Sequence, residues 1–252
     1  MRINFGVGLK SPRQWIPVIV LALTVALSVL SEPVQAETEL GANPVRDKVT
    51  YKAGAKMPDP AGVSLQMLQN AWDRLRKVTK ISAWLVYDDQ DILNAYMTKN
   101  DKGDFMVVVY RGLMKIFRTE DEIAGVLGHE SGHAALGHLE KGIKQQVGVG
   151  VAASILSKIL GGNAIADLAV GTGAELVKSG YSREAEVEAD DYGTEQCAKA
   201  GYSSMGLYNA VKRMADAGAV TPPSGFNSHP PTERRMKRLK EKADYWAQQL
   251  KK

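Results

Sequence analysis

Residues 119–142, TEDEIAGVLGHESGHAALGHLEKG, constrain this chain more than any other stretch. Thr119 followed by Glu122 forms a capping box, so the periodic run after it reads as a helix with a defined start. Within that helix stand His129, Glu130 and His133 in the order His-Glu-x-x-His. Residues four apart share a helix face one turn apart, so both imidazoles can address a single zinc ion. Glu130, turned about 100° around the axis, reaches a water at the metal without being a ligand. An ion so held brings the pKa of its water towards about 7, and the carboxylate can take that proton and pass it to a departing amine. The bland account is a pair of buried histidines bonded to backbone. The motif's place in the middle of an amphipathic helix favours the metal.

A catalytic zinc needs a third protein ligand and an open fourth position. His138 follows His133 by five residues. The metzincin pattern puts its third histidine six residues on, with Gly at the third place, where this chain has Leu136, with Gly137 one later. His138 also falls one turn further along the same helix, and it reads as structural. The other source is a second helical stretch, EAEVEADD, residues 184–191. Glu186 with Asp190 and Glu184 with Glu188 each share a face at four-residue spacing. In either pair one acid can bind the metal while the other orients a histidine ring, and spacing leaves both pairs open.

The net charge of +4 invites a nucleic-acid partner, but its distribution argues against one. Arg2, Lys10 and Arg13 precede the apolar run Trp15–Leu30, and small residues follow at Val34 and Ala36. That order is a secretory signal, with cleavage expected after Ala36. Glu32 is the one acid in this leader, so half of the excess charge belongs to targeting. A retained membrane anchor is the alternative, but sixteen residues containing Pro17 are short for a span that needs about 20. Cys197 is the only cysteine, which excludes an intrachain disulfide and leaves the core, helped by a metal, to hold an exported fold together.

Residues 37–62, with Pro44, Pro58 and Pro60, read as an extended or loosely packed lead-in to a domain at 63–252. Leu65, Leu68, Trp72, Leu75 and Val78 recur at helical spacing behind Ser64 as N-cap. SAWLVYDD, ILNAYMT and GDFMVVVYRG read as short strands. Gly142 to Gly180 is apolar and glycine-rich. Its Gly148-Val-Gly150 follows no strand and lacks the third glycine of a phosphate loop, so one or two helices, packed in the core or touching a membrane surface, are expected. Two further helices and a basic final helix follow, the last after the loop SGFNSHPPTERRM. The fold class expected is α+β, predominantly helical, with a small sheet beside the zinc-binding helices.

HESGHAALGH, followed about fifty residues later by SREAEVEAD, resembles the HtpX/LoiP-type zinc metallopeptidases, a gluzincin group. Their second motif is Ser/Thr-Arg-x-x-Glu-x-x-Ala-Asp, read here as Ser182-Arg183, Glu186 and Ala189-Asp190. SHPPTERR is similar to their late His-Pro motif, and the likeness runs over about residues 64–240, nearest to the exported LoiP-like bacterial members. It implies one zinc ion per chain held by His129, His133 and Glu186, with Glu130 as general base and Asp190 behind a histidine ligand. It also implies a strand around Phe105–Tyr110 that pairs with extended substrate. His229, in a Gly/Pro-rich loop, and Arg235, after it, become candidates to stabilise the oxyanion. His229 is equally a candidate for the open zinc position or a plain loop anchor. LoiP-like lipoproteins carry a cysteine at the signal cleavage site and this chain does not.

The expectation is an exported, periplasmic zinc endopeptidase acting on misfolded envelope proteins, with no nucleic-acid partner and possible membrane contact through residues 142–180. A zinc-stabilised chaperone or binding module with little proteolysis is the rival. The leader reading has its own test: N-terminal sequencing of the exported protein should begin at Glu37, and a product starting at Met1 would contradict it.

Overall fold

The computed structural model describes residues 45–100, 102–142, 181–218, 229 and 232–251. Residues 1–36, read above as a leader, and the apolar stretch beyond Gly142 lie outside these residues. The elements in chain order are β1 (Val49–Tyr51), α1 (Leu65–Thr79), β2 (Trp84–Asp88), β3 (Ala95–Lys99), β4 (Phe105–Tyr110), α2 (Arg111–Ile116), α3 (Glu120–Ala135), α4 (Arg183–Lys199), α5 (Gly206–Asp216) and α6 (Glu233–Gln249). This is the expected helical domain with one small mixed sheet. None of the described helices is long and apolar enough to cross a membrane.

The sheet runs β1-β2-β4-β3, with β1, β2 and β4 parallel and β3 antiparallel on the edge. This corrects one expectation. Phe105–Tyr110 is β4, which has a strand on both sides and so has no free edge for a substrate. The strand left on the edge near the His-Glu-x-x-His helix is β3, which that helix packs against. A second difference concerns residues 45–62. Part of this supposed lead-in forms β1, and the Asp47 carboxylate accepts hydrogen bonds from Trp72 Nε1, Ser82 Oγ and the Ala83 amide. A short polar residue fastened at three points integrates the segment, although its composition reads as loop.

α3 is the axis of the molecule. Its capping box is present: Thr119 Oγ1 accepts from the Glu122 amide, and Glu122 Oε2 accepts from the Thr119 amide. Every residue from Glu122 to Ala134 is buried, because α1, α4, α5 and β3 surround the helix. It therefore lacks the single apolar stripe of a surface helix, which differs from the amphipathic reading. Burial on all sides also explains its small residues. A Cβ added to Gly132 would stand 2.9 Å from Ala189 Cα, and one on Gly193 of α4 would stand 2.6 Å from the His129 amide nitrogen. The two backbones approach too closely there for any larger residue.

The core lies between this helix and the sheet, built from Leu68, Trp72 and Leu75 of α1, Leu85 and Tyr87 of β2, Val107 and Val109 of β4, and Ile123 and Leu127 of α3. α6 closes the far side through Leu239, which packs against Leu207 and Val211 of α5.

The close approach yields a prediction. Gly193→Ala places a methyl against the His129 backbone, and overpacking of this kind costs about 1–3 kcal/mol. Urea unfolding should show that loss, together with a weakened grip on metal. A variant as stable as the parent would contradict the contact.

Candidate metal centre

α3 presents His129 and His133 from consecutive turns, and α4, N-capped by Ser182, presents Glu186 across the glycine contact. His129 Nε2 and His133 Nε2 are 3.1 Å apart, and His133 Nε2 is 3.4 Å from Glu186 Oε1. His229 reaches the same point: its Nδ1 stands 3.2 Å from His129 Nε2 and 2.8 Å from Glu186 Oε1. One ligand atom from each of these four buried side chains falls within 4.8 Å of all the others. Tetrahedral zinc with bonds of about 2.05 Å places neighbouring ligand atoms about 3.3 Å apart, and the observed spacings bracket that value.

The chemistry of the donors fits a cation as well as their spacing does. Asp190 Oδ1 lies 2.9 Å from His129 Nδ1, somewhat off the line of the ring N–H. A carboxylate there keeps the proton on Nδ1 and leaves the Nε2 lone pair facing inward. His133 has the same arrangement, since its Nδ1 bonds His138 Nδ1 at 3.0 Å. Two inward lone pairs and a carboxylate cannot bond one another. Glu186 Oε2 is buried without a hydrogen bond, with Arg235 Nη1 3.5 Å away. A divalent ion satisfies all of these atoms together.

The ionisation states run the same way. Burial drives His133 well below its ordinary value, which keeps the ring neutral and its lone pair available. Burial also opposes the charge of Glu186, but His229, His133 and His129 outweigh it and hold this carboxyl far below the usual range. Asp190 is likewise held low despite burial, by Arg235 and His129. His229 runs the other way: burial works against its charge, but Glu186 and Glu130 overcome that and raise it, which favours the protonated ring. Glu130 is also outside the pattern. Burial raises it, and His229 and His129 only partly compensate. Its Oε2 accepts from the Met97 amide of β3 at 2.9 Å, so the carboxylate is held at the rim of the donor group and not within it.

Arg235 approaches from the first turn of α6. It donates Nε and Nη2 to the two oxygens of Asp190 at 2.9 and 2.8 Å, and Nη1 to the His229 carbonyl at 2.6 Å. The guanidinium therefore fastens His229 to α4; it also stands 3.5 Å from Glu186 Oε2 and lines, with His129, Glu130 and His229, the small cavity beside the donor group.

His138 departs from the sequence reading. It is not one turn further along α3. The helix ends at Ala135, Gly137 takes a left-handed φ of 66°, and a helical turn resumes at His138. The break swings the His138 ring back onto His133, with its Nε2 2.9 Å from Glu188 Oε2. Glu188 was one of the acids left open by spacing. It faces His138, and Glu186 faces the donor group. Tyr181, which no motif in the sequence singles out, stacks its ring on His133 at 3.8 Å between centroids. Its place immediately before the N-cap of α4 was the one available signal.

A His-Glu-x-x-His helix with a carboxylate and its neighbours brought in from a later helix defines a metallopeptidase domain. The chain belongs to peptidase family M48, whose profile matches residues 65–243. It is 34% identical to metalloprotease LoiP of Escherichia coli (strain K12) over 160 residues, 62% of this chain and 61% of LoiP. It is 33% identical to metalloprotease YcaL of the same organism over 179 residues, 67% of this chain and 68% of YcaL. A mitochondrial metalloendopeptidase, OMA1 of Arabidopsis thaliana, is 28% identical over 151 residues, 60% of this chain and 30% of that protein. The match thus spans about three fifths of LoiP's length.

The Arg235–Asp190 pair gives a stability test. Arg235→Met leaves Asp190 as a buried carboxylate without its cation, at a cost of about 3–5 kcal/mol at neutral pH. Asp190 titrates below its ordinary value of 3.8 in the folded protein. Its contribution is therefore present above that value and is lost as pH falls through the depressed one. Denaturation midpoints of parent and variant should be far apart at pH 7 and converge in acid; an equal gap at every pH would contradict the pairing.

Proposed function

We propose that this chain is an exported zinc-dependent endopeptidase of the cell envelope, with one zinc ion held by His129, His133 and Glu186. The observation that carries this reading is the set of inward-facing donors with Glu130 beside it but outside it. Zinc, when bound there, polarises a water and the scissile carbonyl and stabilises developing negative charge. Glu130 then acts as general base. Its raised pKa in the buried site suits a group that takes a proton from water and returns it to the leaving amine. Asp190 holds the His129 ring, and Arg235 holds Asp190.

An extended peptide is best received by β3. Tyr110 donates to the Asn94 carbonyl, so residues 94, 96 and 98 bond β4 and the backbone groups of Ala95, Met97 and Lys99 face away from it. The Met97 amide is already given to Glu130, so the Ala95 and Lys99 groups and the Met97 carbonyl are what this edge offers; a strand added there lies alongside Glu130 and is bound without regard to side-chain sequence. Such recognition requires an unfolded segment, in keeping with the quality-control role on misfolded envelope proteins. The leader at 1–36 and the peptidase domain at 63–252, whose sheet takes in β1 from the segment before it, complete the proposal, as does the similarity to LoiP. Membrane-surface contact by residues 142–180 is compatible with it.

The position of His229 supports a second reading. Its Nδ1 lies within the donor group, where it fills the place that a catalytic zinc leaves open. In one form this is a resting state of the peptidase; in the other it is a zinc-stabilised chaperone or binding module with little proteolysis. His229→Ala should raise cleavage of denatured casein if His229 caps the site. It should lower cleavage with zinc retained if His229 stabilises the oxyanion. Unchanged cleavage would leave it a loop anchor.

Glu130→Gln tests the main reading. The amide oxygen still accepts from Met97, so fold and zinc content should match the parent. Chelator-sensitive cleavage of denatured casein should fall about 10³-fold, within the range for loss of a general base. A variant that cleaves as fast as the parent would remove Glu130 from the mechanism.

A further inference from the structure

We propose that His138 and Glu188 are positioning residues for His133, forming a hydrogen-bonded arm that runs from solvent to the metal ligand and fixes its tautomer and ring orientation. The proposal rests on the zinc reading above. His133 and His138 are buried at 0% and 2% exposure, whereas the Glu188 side chain is 55% exposed. The links are 3.0 Å from His133 Nδ1 to His138 Nδ1 and 2.9 Å from His138 Nε2 to Glu188 Oε2.

The direction of the arm follows from counting protons. A neutral imidazole has one donor and one acceptor nitrogen. With Nε2 of His133 directed at the metal, its Nδ1 carries the hydrogen and donates. His138 Nδ1 must then accept, so His138 Nε2 carries the remaining hydrogen and donates to the Glu188 carboxylate. A cation at one end and an anion at the other demand the same polarity, and reversing any link breaks both ends. Tyr181, stacked 15° from parallel on the ring of His133, restrains its plane while the arm restrains its rotation about that plane.

The two histidine ligands are thus supported differently. His129 leans on Asp190, which is buried and fastened by Arg235. His133 leans on a neutral ring whose far end is a surface carboxylate. α4 supplies Glu186, Glu188 and Asp190 within five residues, so one helix serves the donor group and both supports. Gly137 is what makes the second support possible, since its left-handed turn redirects the chain at His138.

Support of this kind changes metal affinity by about 10–100-fold when removed. The experiment measures zinc affinity of the full chain by competition with a fluorescent chelator, with circular dichroism to confirm folding, for His138→Ala, His138→Gln, His138→Leu and Glu188→Ala. The expected result is binding about 10–100-fold weaker in the Ala and Leu variants at His138. His138→Gln should recover most of the loss, because its amide oxygen accepts from His133 Nδ1. Glu188→Ala should weaken zinc several-fold with an unchanged melting temperature. Rescue by Leu and not by Gln would mean that His138 only fills space, and parental affinity in Glu188→Ala would overturn the arm even if the His138 variants fail to fold. A parent chain that binds no zinc would overturn the function proposed above instead, so the two failures are distinguishable.

Discussion

The site depends on the contact between two helix backbones. α3 and α4 touch through Gly128, Gly132, Ala189 and Gly193, with no room for another side-chain carbon at the glycines. That closeness lets Glu186, a residue of modest reach, place a carboxylate oxygen 3.4 Å from His133 Nε2. A centre-to-centre distance larger by the width of one methyl would take the Glu186 carboxylate out of reach of the two histidines of α3. The glycines weaken both helices by propensity, and the surrounding core compensates: Ile123, Leu127 and Ala124 on α3 are fully buried.

Bringing so many ionisable groups out of water is costly unless each has a partner. The arrangement has an order. Arg235 balances Asp190, Asp190 faces His129, and the donor group faces inward to a cation. Glu130 is tied to the sheet through Met97 and does not join the donors. The separation between ligands and Glu130 is maintained by β3, whose side away from β4 pairs with no other strand among the described residues and gives its Met97 amide to Glu130. The proposed general base and the proposed peptide-receiving edge would thus both be set by one element, which would link substrate binding to the geometry of the reaction.

Much of this was legible in local sequence. The capping box fixed the start of α3 to the residue, because Thr119 and Glu122 act within one turn. His129, Glu130 and His133 share a face by helical geometry alone. The spacing of Glu186 and Asp190 placed both on one face, but it could not rank them against Glu184 and Glu188. That choice depends on which side of α4 meets α3, a tertiary fact set by Gly193 and Ala189. The expectation that Phe105–Tyr110 pairs with substrate fails for a related reason. β4 is the most apolar strand because it lies between two others, and the same burial denies it a free edge. The position of His138 escapes helical spacing because that spacing continues in the sequence across Gly137 while the backbone does not. Asp47 shows the limit at short range, since its three hydrogen bonds come from residues 25 to 36 positions away.

The central claim is that α3 and α4 together hold one zinc ion. Anomalous diffraction at the zinc edge from crystals of the zinc-loaded protein tests it directly. One peak per chain should lie within bonding distance of His129 Nε2, His133 Nε2 and Glu186. A peak held instead by His138 and Glu188, or the absence of any peak at the His-Glu-x-x-His helix, would contradict it.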